Sequence, residues 1–534
     1  MIKEYFWIAI IGILFNATLI LMDVAGFLPL NLIIFSSIFL AIFILSLYRP
    51  VWMFWIFIIS LPLESVIISS SQIPISFRPF QMIALMLFLA TGFLLLFKTK
   101  NKKIPKLNGF NKNKFLKIGN SFNYRDALIL VLILISFFSL AKALNFSATL
   151  KLNLVLVSFG MIYFLARFYL QEKQRKLEAL WFFVITSLPV LFFGIYQAVA
   201  YKMNWIDFQV FAERSNGTFI EPDWFGIYLV FLGALIYWVK LYLFRTKNST
   251  MVGVFEIRKV GQWFLNFHLA LISVVLLLTV ARSAWLGFAF LTVIYFFCLL
   301  RQKQILNLNK FLSISFLKEV LTIFWIGLFA ILIVSMTGLS NFNLTNRATS
   351  SFSGLEEITI SCQGTAQISV PEKISNIDEL NKYNCRHIRL EEIETEKKSG
   401  MEVKTVYRLD PNIEIRKNIY QITWREIQNN FWIGQGLGSS AEVLGKDSYG
   451  HGFNASNIFL EVWFSFGVIG LAVFVWLFLV PILGALKDIS NNSKGQIGYN
   501  LMIILTGIAL LIPNFFNAGI FLVILWVWLA IAQS

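Results

Sequence analysis

Long apolar runs recur along almost the whole chain, and they restrict it to one class of fold. An apolar run of about 18 residues or more can cross a hydrocarbon core of about 30 Å as an α-helix. Examples are Tyr5–Met22, Leu28–Leu47, Phe80–Phe97, Leu180–Ala200 and Trp224–Tyr242. Only 14% of the residues are charged, whereas soluble domains carry about 25%, and the mean hydropathy is +0.72. The sequence therefore predicts an all-α polytopic membrane protein embedded in a lipid bilayer.

The basic residues predict how the chain is oriented. Lys98–Arg125 holds nine lysines and arginines and no acidic residue, and Arg167–Lys176, Lys240–Lys259 and Arg301–Lys318 hold four, five and four. These clusters fall in alternate loops, as basic loops do on the cytoplasmic side of an inner membrane. The N-terminus is then inside and residues 338–455 are outside. A nucleic-acid partner is not expected, because the charges lie between spans rather than on one module.

Three parts follow from this pattern. Residues 1–337 are expected to form transmembrane helices 1–11, residues 338–455 one large extracytoplasmic loop, and residues 456–534 helices 12–14. The run Asn500–Ala532 is too long for a single crossing, and Pro513-Asn514 divides it. If the proline only kinks one helix, the count is 13 and the C-terminus lies outside.

The loop of residues 338–455 has a different composition from the rest of the chain. It holds 15 of the 29 acidic residues and 13 of the 45 basic ones. Such a long, mixed segment is expected to fold rather than merely connect two spans. Cys362 and Cys385 both lie in it, which fits a disulfide in an oxidising compartment; two free thiols are the alternative.

A helix that lies on the membrane surface is expected near the end of this loop. Asp410-Pro411 reads as its start, with an acidic N-cap and proline in the first turn. The predicted apolar stripe is Ile415, Ile419, Ile422, Ile427 and Phe431, with Arg416, Gln421, Arg425 and Asn429 off the stripe. The helix stops at Gly434-Gln-Gly436-Leu-Gly438, where the glycines either expose N–H groups to an anion or form a flexible turn.

Three arginines are expected at the outer face, apart from the cytoplasmic clusters. Arg214 lies in RSNGTFIEPDWFG, Arg282 in TVARSAWLG, and Arg416 on the surface helix. Guanidinium groups bind phosphate oxygens in pairs and remain charged at neutral pH. Each arginine alone has an ordinary explanation, either a solvated loop charge or a side chain that snorkels to the interface. The expected location of all three arginines at the outer face of the membrane favours an anion-binding site there.

If the anion site serves an enzyme that transfers a group to a hydroxyl, a base must also remove the proton of that hydroxyl. Neutral imidazole suits this role near pH 7. His451 is the outer histidine nearest to a membrane entry, and an exposed loop histidine is the alternative reading. The carboxylates are the rival bases: Glu221 and Asp223, which follow Arg214, and Glu461, one turn into the re-entering helix. His387 lies in mid-loop, and His268 is expected to be a packed polar residue inside a span. No metal or nucleotide motif occurs, so no metal and no cofactor are predicted.

These stretches, taken together, resemble the O-antigen ligase and O-antigen polymerase family of membrane glycosyltransferases. The resemblance rests on RSNGTFIEPDWFGIYL, on Arg282-Ser-Ala-Trp-Leu286, on the helix from Arg416 to the three glycines, and on the stretch that follows His451. The ligases carry a His-Asn pair, nine residues, a glycine, two residues and a small residue. Here Ser456-Asn457 precedes Gly467 and Gly470 at that spacing. The similarity extends over about Glu213 to Gly470, with gaps.

The resemblance implies an activity. A polyprenyl-diphosphate-linked oligosaccharide is the donor, a hydroxyl of a glycan, glycolipid or protein is the acceptor, and transfer occurs on the extracytoplasmic side of the cytoplasmic membrane. Arg214, Arg282 and Arg416 would bind the diphosphate, without a metal, and direct displacement would invert the anomeric centre. Two positions depart from the family pattern: Ser456 replaces the histidine, and Asp223 replaces an asparagine. Either His451 or a carboxylate is then the base.

Two other classes of function remain open. One is a transporter or flippase of lipid-linked glycan, which is expected to carry ionisable residues at mid-membrane depth; few occur here. The other is an assembly protein whose loop binds a partner. In that case Arg214, Arg282 and Arg416 would be dispensable one by one. Ligase and polymerase activities are not separated by the sequence.

Overall fold

The computed structural model describes most of the chain. It covers residues 2–72, 76–98, 122–205, 214–245, 260–305, 314–340, 350, 353–363, 370–388, 392–446, 452–490 and 497–533. His451 lies outside the described residues.

The described residues are mostly helical, and the helices follow the apolar runs. They are α1 (Ile2–Val24), α2 (Leu32–Tyr48), α3 (Pro50–Ser60), α4 (Pro79–Lys98), α5 (Tyr124–Phe138), α6 (Phe146–Tyr169), α7 (Lys173–Ile185), α8 (Leu188–Lys202), α9 (Pro222–Arg245), α10 (Val260–Thr279), α11 (Arg282–Ile305), α12 (Ile314–Thr337), α13 (Ile393–Lys398), α14 (Pro411–Asn429), α15 (Ser439–Leu444), α16 (Ile458–Ser490), α17 (Ile497–Asn514) and α18 (Val523–Ala532). Short 3-10 helices lie at Ser139–Lys142, Ile377–Tyr383 and Gly519–Phe521.

Among the described residues, ten helical stretches are long and apolar enough to cross a membrane. One of them, Gln174–Lys202, combines α7 and α8. Four shorter apolar helices accompany them: Leu32–Tyr48, Pro50–Ser60, Gly498–Asn514 and Val523–Ala532. The chain is therefore a multi-pass membrane protein, as predicted, and the count of 13 or 14 crossings stays a prediction.

Helix α9 lies at the centre of the bundle and is buried along almost its whole length. A helix that is apolar on all sides can be stable only in such a position or in lipid. Near its start, Gly226 lets α11 approach closely. A methyl group at Gly226 would lie 2.6 Å from the Cβ of Ala284 and 3.1 Å from that of Ala281. Small residues thus bring the first turns of α9 and α11 together.

The segment between α12 and α14 contains a small β-sheet, which the all-α expectation missed. Its strands are β3 (Leu355–Cys362), β4 (Lys373–Ile374), β5 (Cys385–His387) and β6 (Glu402–Leu409), in the order β4-β6-β3-β5. A two-stranded sheet of β1 (Ile68–Ser69) and β2 (Ser76–Phe77) lies elsewhere. In β6 the partly buried Val403, the buried Val406 and the partly buried Arg408 are separated by exposed residues, whereas β3 ends in three consecutive buried residues, Ile360–Cys362.

We call residues 353–409 the β-subdomain. β3 pairs antiparallel with both β5 and β6, and β4 pairs parallel with β6. Ile358, Ile360, Leu380 and Val406 form part of a core separate from that of the helices. A disulfide joins Cys362 to Cys385, which lie opposite each other on β3 and β5. The β-subdomain therefore has its own apolar core and its own covalent crosslink.

Helix α14 begins where the sequence predicted, but it is rotated from the predicted orientation. Asp410 caps it and Pro411 occupies its first turn. The side facing the bundle carries Ile419, Thr423 and Ile427, which are buried, together with the half-buried Arg416 and Tyr420. Ile415, predicted on the apolar stripe, is instead exposed. Arg416, predicted off the stripe, points inward because its guanidinium stacks over the ring of Phe516.

Helix α16 is interrupted at Gly467, whose φ of 68° and ψ of −175° are not helical. The segment of residues 430–438 that follows α14 fits into this interruption. Three backbone hydrogen bonds join them: Gln435 N donates to Phe464 O (2.8 Å), Gly436 N to Ser465 O (2.9 Å), and Val468 N to Phe431 O (2.9 Å). Backbone groups released by the break are thus satisfied by protein, as the low-polarity interior of a bundle requires.

The three glycines of this segment have a structural task that the sequence did not reveal. Gly434, Gly436 and Gly438 have φ values of +75°, +85° and +82°, in the left-handed region that glycine adopts most readily. The N–H groups of Gln435 and Gly436 are bonded to α16, so they do not form the anion site that one reading of the sequence offered. The segment is not a flexible turn either, because backbone hydrogen bonds join it to α16 both before and after Gly467.

Candidate functional site

The turn between α10 and α11 brings Arg214 and Arg282 into one neighbourhood. Val280, in this turn, has a φ of +51°, which is uncommon for a β-branched residue. The turn exposes the carbonyl of Thr279, to which Arg214 Nε donates at 2.9 Å. Arg282 is the first residue of α11, three positions further on. Two residues that are 68 positions apart in sequence thus flank one strained turn.

Arg214 is held by the segment that precedes α9. Its Nη2 lies 3.2 Å from Asp223 Oδ1, in the first turn of α9. The neighbouring Ser215 N donates to Leu278 O at 3.1 Å. Thr218 Oγ1 donates to Pro62 O at 2.6 Å. These bonds connect the arginine to α9, to the α10–α11 turn and to the segment after α3.

Arg282 is bound by residues at both ends of the β-subdomain. Its Nη1 lies 2.7 Å from Asp410 Oδ2 and donates to Ser350 Oγ at 3.1 Å. The Asp410 side chain is fully buried, whereas that of Arg282 stays 24% exposed. The guanidinium is therefore anchored through Nη1, and about a quarter of the Arg282 side chain remains exposed.

Arg416 joins the same region through the turn between α17 and α18. It stacks over Phe516, with its Cζ 5.8 Å from the ring centroid. Asn517 Nδ2, one residue later, donates to Ser283 Oγ at 3.0 Å, and Ser283 follows Arg282. The three arginines predicted from the sequence are therefore linked by successive contacts. We call the end of the bundle where they lie, and where α9, α11 and α16 begin, the arginine end.

The residues at the family's histidine position lie at this end as well. Ser456 has a φ of +49°, and its carbonyl accepts a hydrogen bond from Tyr420 Oη at 3.4 Å. Asn457 caps α16 by accepting from Phe459 N and Leu460 N. Its Nδ2 also donates to Phe515 O at 3.0 Å. The start of α16 is thus fastened to α14 and to the α17–α18 turn.

Comparison with known protein families decides which proteins this arrangement belongs with. Residues 267–475 match the model of the family described as O-antigen ligase. These residues belong to the O-antigen ligase family. The match includes Arg282, Asp410, Arg416 and Ser456-Asn457, whereas Arg214 and Asp223 precede it. The resemblance predicted from the sequence is confirmed over this range, and no curated protein matches the chain.

The O-antigen ligase domain presents several helix N-termini at the arginine end. α11, α14 and α16 begin there, and α9 adds a fourth just before the domain. Unpaired N–H groups and the helix dipole make such ends favourable for anions. Combined with three arginines, they produce a region suited to phosphate oxygens.

The surroundings of Asp410 shift the pKa of its carboxyl group. Burial alone would raise its pKa, but hydrogen bonds from Arg282 and Asn412 outweigh burial and hold the pKa of Asp410 below its ordinary value of 3.8. The group is therefore an anion at neutral pH. The sequence identified Asp410 only as a helix cap, because its partner Arg282 is 128 residues away.

The candidate bases differ in the contacts that they make. Asp223 is paired with Arg214, and Glu221 accepts a backbone hydrogen bond from Phe225 N, at the start of α9. Glu461 is buried and accepts bonds from Ser440 Oγ (3.1 Å) and Ala455 N (2.8 Å), so it secures the turn before α16. The placement of His451 is not part of the described chain.

The other two histidines lie in different surroundings. His268 is fully buried in α10, with Nε2 3.1 Å from Ser187 Oγ, as expected for a packed polar residue. His387 lies on β5, opposite Ile360 of β3 in the β-subdomain. Within the described ranges, no group of three or more histidine, cysteine, aspartate or glutamate residues is arranged to hold a metal ion.

A further arginine–carboxylate pair at this end was missed by the sequence reasoning. Arg78 Nη1 lies 2.7 Å from Glu64 Oε2, and Glu64 Oε1 accepts from Val523 N at 2.9 Å. The next residue, Ser65, donates through its N–H to Thr218 O at 2.8 Å. The pair joins α4 to the start of α18 and to the Arg214 segment. The sequence signal for it was a lone acid in an apolar stretch.

Proposed function

We propose that the protein transfers a glycan from a polyprenyl-diphosphate carrier to an acceptor hydroxyl. The observation that carries the proposal is the convergence of Arg214 and Arg282 on the α10–α11 turn, with α14 and Arg416 beside them. Membership of residues 267–475 in the O-antigen ligase family supports glycan transfer in polysaccharide assembly. The acceptor is a hydroxyl of a glycan, glycolipid or protein.

The arginines would bind the donor diphosphate and stabilise the negative charge that develops on it as it leaves. During transfer, the acceptor oxygen bonds to the anomeric carbon while the bond from that carbon to the diphosphate oxygen breaks. Negative charge grows on the departing diphosphate, where fixed guanidinium groups and helix N-termini stabilise it. Attack from the face opposite the leaving group inverts the anomeric centre. We propose that this step uses no metal ion.

The acceptor hydroxyl must lose its proton, and three residues are candidates to take it. His451 follows α15 in the chain, Asp223 pairs with Arg214, and Glu221 lies two residues before Asp223. Asp223 already accepts a hydrogen bond from Arg214 Nη2 at 3.2 Å. We favour His451, because a neutral imidazole suits proton removal near pH 7.

We also propose a membrane placement. Fourteen crossings result if α2, α3, α17 and α18 each count and α7 with α8 counts as one. Both termini and the basic clusters then lie in the cytoplasm, following the positive-inside rule. The arginine end and residues 338–455 lie on the extracytoplasmic face of the cytoplasmic membrane. In a Cys298→Ser background, the Ser399→Cys variant should react with an impermeant maleimide in intact cells. The Arg175→Cys variant should react only after permeabilisation.

Release of the carrier tests the activity directly. Full-length protein in membranes would be given undecaprenyl-diphosphate-linked oligosaccharide and an acceptor, and free undecaprenyl diphosphate would be measured. We expect Arg282→Ala to abolish release and His451→Ala to lower it by about a hundredfold, the scale of a lost general base. Arg386→Ala is the matched control, because Arg386 is an exposed arginine of β5. Release that persists in Arg282→Ala would contradict the proposal.

One observation favours the transporter alternative and gives the assay a second arm. Lys240 and Glu319 form a buried ion pair of 2.6 Å between α9 and α12, and Lys240 also donates to Asn266 Oδ1 at 2.6 Å. Ionisable groups inside spans often mark ion or substrate paths. Translocation of the lipid-linked glycan without carrier release, abolished by Lys240→Met, would establish transport instead.

A further inference from the structure

We infer that Asp410 is a positioning residue that sets the distance between Arg282 and helix α14, the helix that carries Arg416. The inference rests on the proposed function, in which both arginines bind the donor diphosphate. Its geometric content can be measured without any transfer assay, so the two can fail separately.

The carboxylate of Asp410 divides its two oxygens between two helices. Oδ2 lies 2.7 Å from Arg282 Nη1, on the first residue of α11. Oδ1 accepts from Asn412 N and from Asn412 Nδ2, each at 2.9 Å, in the first turn of α14. The side chain is 0% exposed. A single buried anion therefore couples the N-termini of α11 and α14.

The backbone around Asp410 is fixed by the β-subdomain. Asp410 N donates to Gly354 O at 3.0 Å, and Gly354 N donates to Ser350 O at 3.0 Å. Ser350 in turn accepts from Arg282 Nη1. Ser350 precedes the β-subdomain and Asp410 follows it, and both contact the guanidinium of Arg282.

This coupling reaches the proposed diphosphate site through α14. Arg416 lies six residues beyond Asp410, about 9 Å along a helix that rises about 1.5 Å per residue. Holding the start of α14 against Arg282 therefore sets the distance between the guanidinium groups of Arg282 and Arg416, which would bind the same diphosphate. Loss of the buried anion would remove this ion pair from Arg282. An error of about 1 Å in the placement of a group in such a site can cost about a hundredfold in rate.

A simple helix cap is the competing explanation, and one substitution separates the two. Asparagine caps helices about as well as aspartate, but it carries no charge for Arg282. Asp410→Asn therefore preserves the cap and removes the ion pair. Glu356→Gln is the matched control, because it removes a comparable ion pair inside the β-subdomain, that of Glu356 with Arg408 at 2.6 Å.

The distance between the helices is the decisive measurement. Nitroxide labels at Phe290 on α11 and Asn418 on α14, in a Cys298→Ser background, would report it for the full-length protein in nanodiscs. We expect Asp410→Asn and Arg282→Ala each to shift and broaden the distance distribution, and the double variant to add nothing further. Glu356→Gln should leave the distribution unchanged. Formation of the Cys362–Cys385 disulfide verifies folding in each variant.

Transfer is measured on the same samples. For Asp410→Asn we expect kcat/KM for the lipid-linked donor to fall by about a hundredfold, while Glu356→Gln keeps the wild-type value. An unchanged distance distribution in Asp410→Asn overturns the inference, whatever the activity. A shifted distribution in a protein whose wild type transfers nothing supports the positioning role and rejects the proposed function. Asp410→Ser, which also retains a cap, gives the same measurement if Asp410→Asn does not accumulate.

Discussion

Gly434 and Gly467 pack backbone against backbone. A Cβ built on Gly434 would lie 2.6 Å from the N atoms of Phe466 and Gly467, and one built on Gly467 would lie 2.1 Å from Trp432 O. Both glycines have positive φ, +75° and +68°. The segment after α14 can enter the interruption of α16 only because neither residue has a side chain.

This contact predicts that Gly467→Ala is strongly destabilising. The substitution adds a clash with backbone to a left-handed conformation, and each of these effects is worth about 1–3 kcal/mol. Thermal unfolding of the purified protein in detergent measures the loss. Gly484→Ala is the control, because it lies on the same helix with nothing within 4 Å of the added methyl. Equal stability of the two variants would contradict the packing described here.

Arg214→Lys should impair use of the donor although it keeps the charge. The guanidinium reaches Thr279 O through Nε and Asp223 through Nη2, and a single ammonium cannot reproduce both directions. We expect kcat/KM to fall by about tenfold, which corresponds to about 1.4 kcal/mol and to the loss of one charge-assisted bond. Arg408→Lys, which alters an arginine of the β-subdomain, should have no such effect. Wild-type kinetics in Arg214→Lys would show that the fork is not needed.

Removal of the disulfide should loosen the β-subdomain alone. Cys362 and Cys385 are 23 residues apart, and closing a loop of this size stabilises a fold by about 3 kcal/mol in the chain-entropy model. Hydrogen exchange in Cys362→Ser should therefore increase in β3 and β6. It should stay unchanged in α9, whose core is separate. Faster exchange in both regions would mean that the β-subdomain and the bundle unfold together.

Acidification should weaken the junction between β6 and α14. The pKa of Asp410 is lower in the folded protein than its ordinary value of 3.8. The ion pair therefore contributes stability above that ordinary value and loses it as pH falls below 3.8 and through the native pKa. Hydrogen exchange of residues 409–413 should rise over this window in the wild type. In Asp410→Asn it should be high already at neutral pH and change less. A wild-type profile that is flat down to complete protonation would argue against the pair.

The amino-acid sequence alone determined the features that depend on local composition and spacing. Apolar length predicted a multi-pass helical protein, since about 20 apolar residues span a bilayer. The motifs around Arg282, Arg416 and Gly467 predicted the family, which the match over residues 267–475 confirms. The start of α14 was also predictable, because Asp410-Pro411 is a local capping signal.

Only the tertiary structure decided how these pieces meet. The pairing of Arg282 with Asp410 spans 128 residues, and no periodicity encodes a partner at that distance. The inward face of α14 includes Ile419 and Ile427 from the predicted stripe, but the contact with Phe516 adds Arg416 to it, and Ile415 is left exposed. The same holds for the glycines after α14: their left-handed backbone was foreseeable as a turn, but their insertion into α16 depends on a break in a helix that follows them in sequence. Contacts between distant segments arise from packing, and packing is a property of the whole fold.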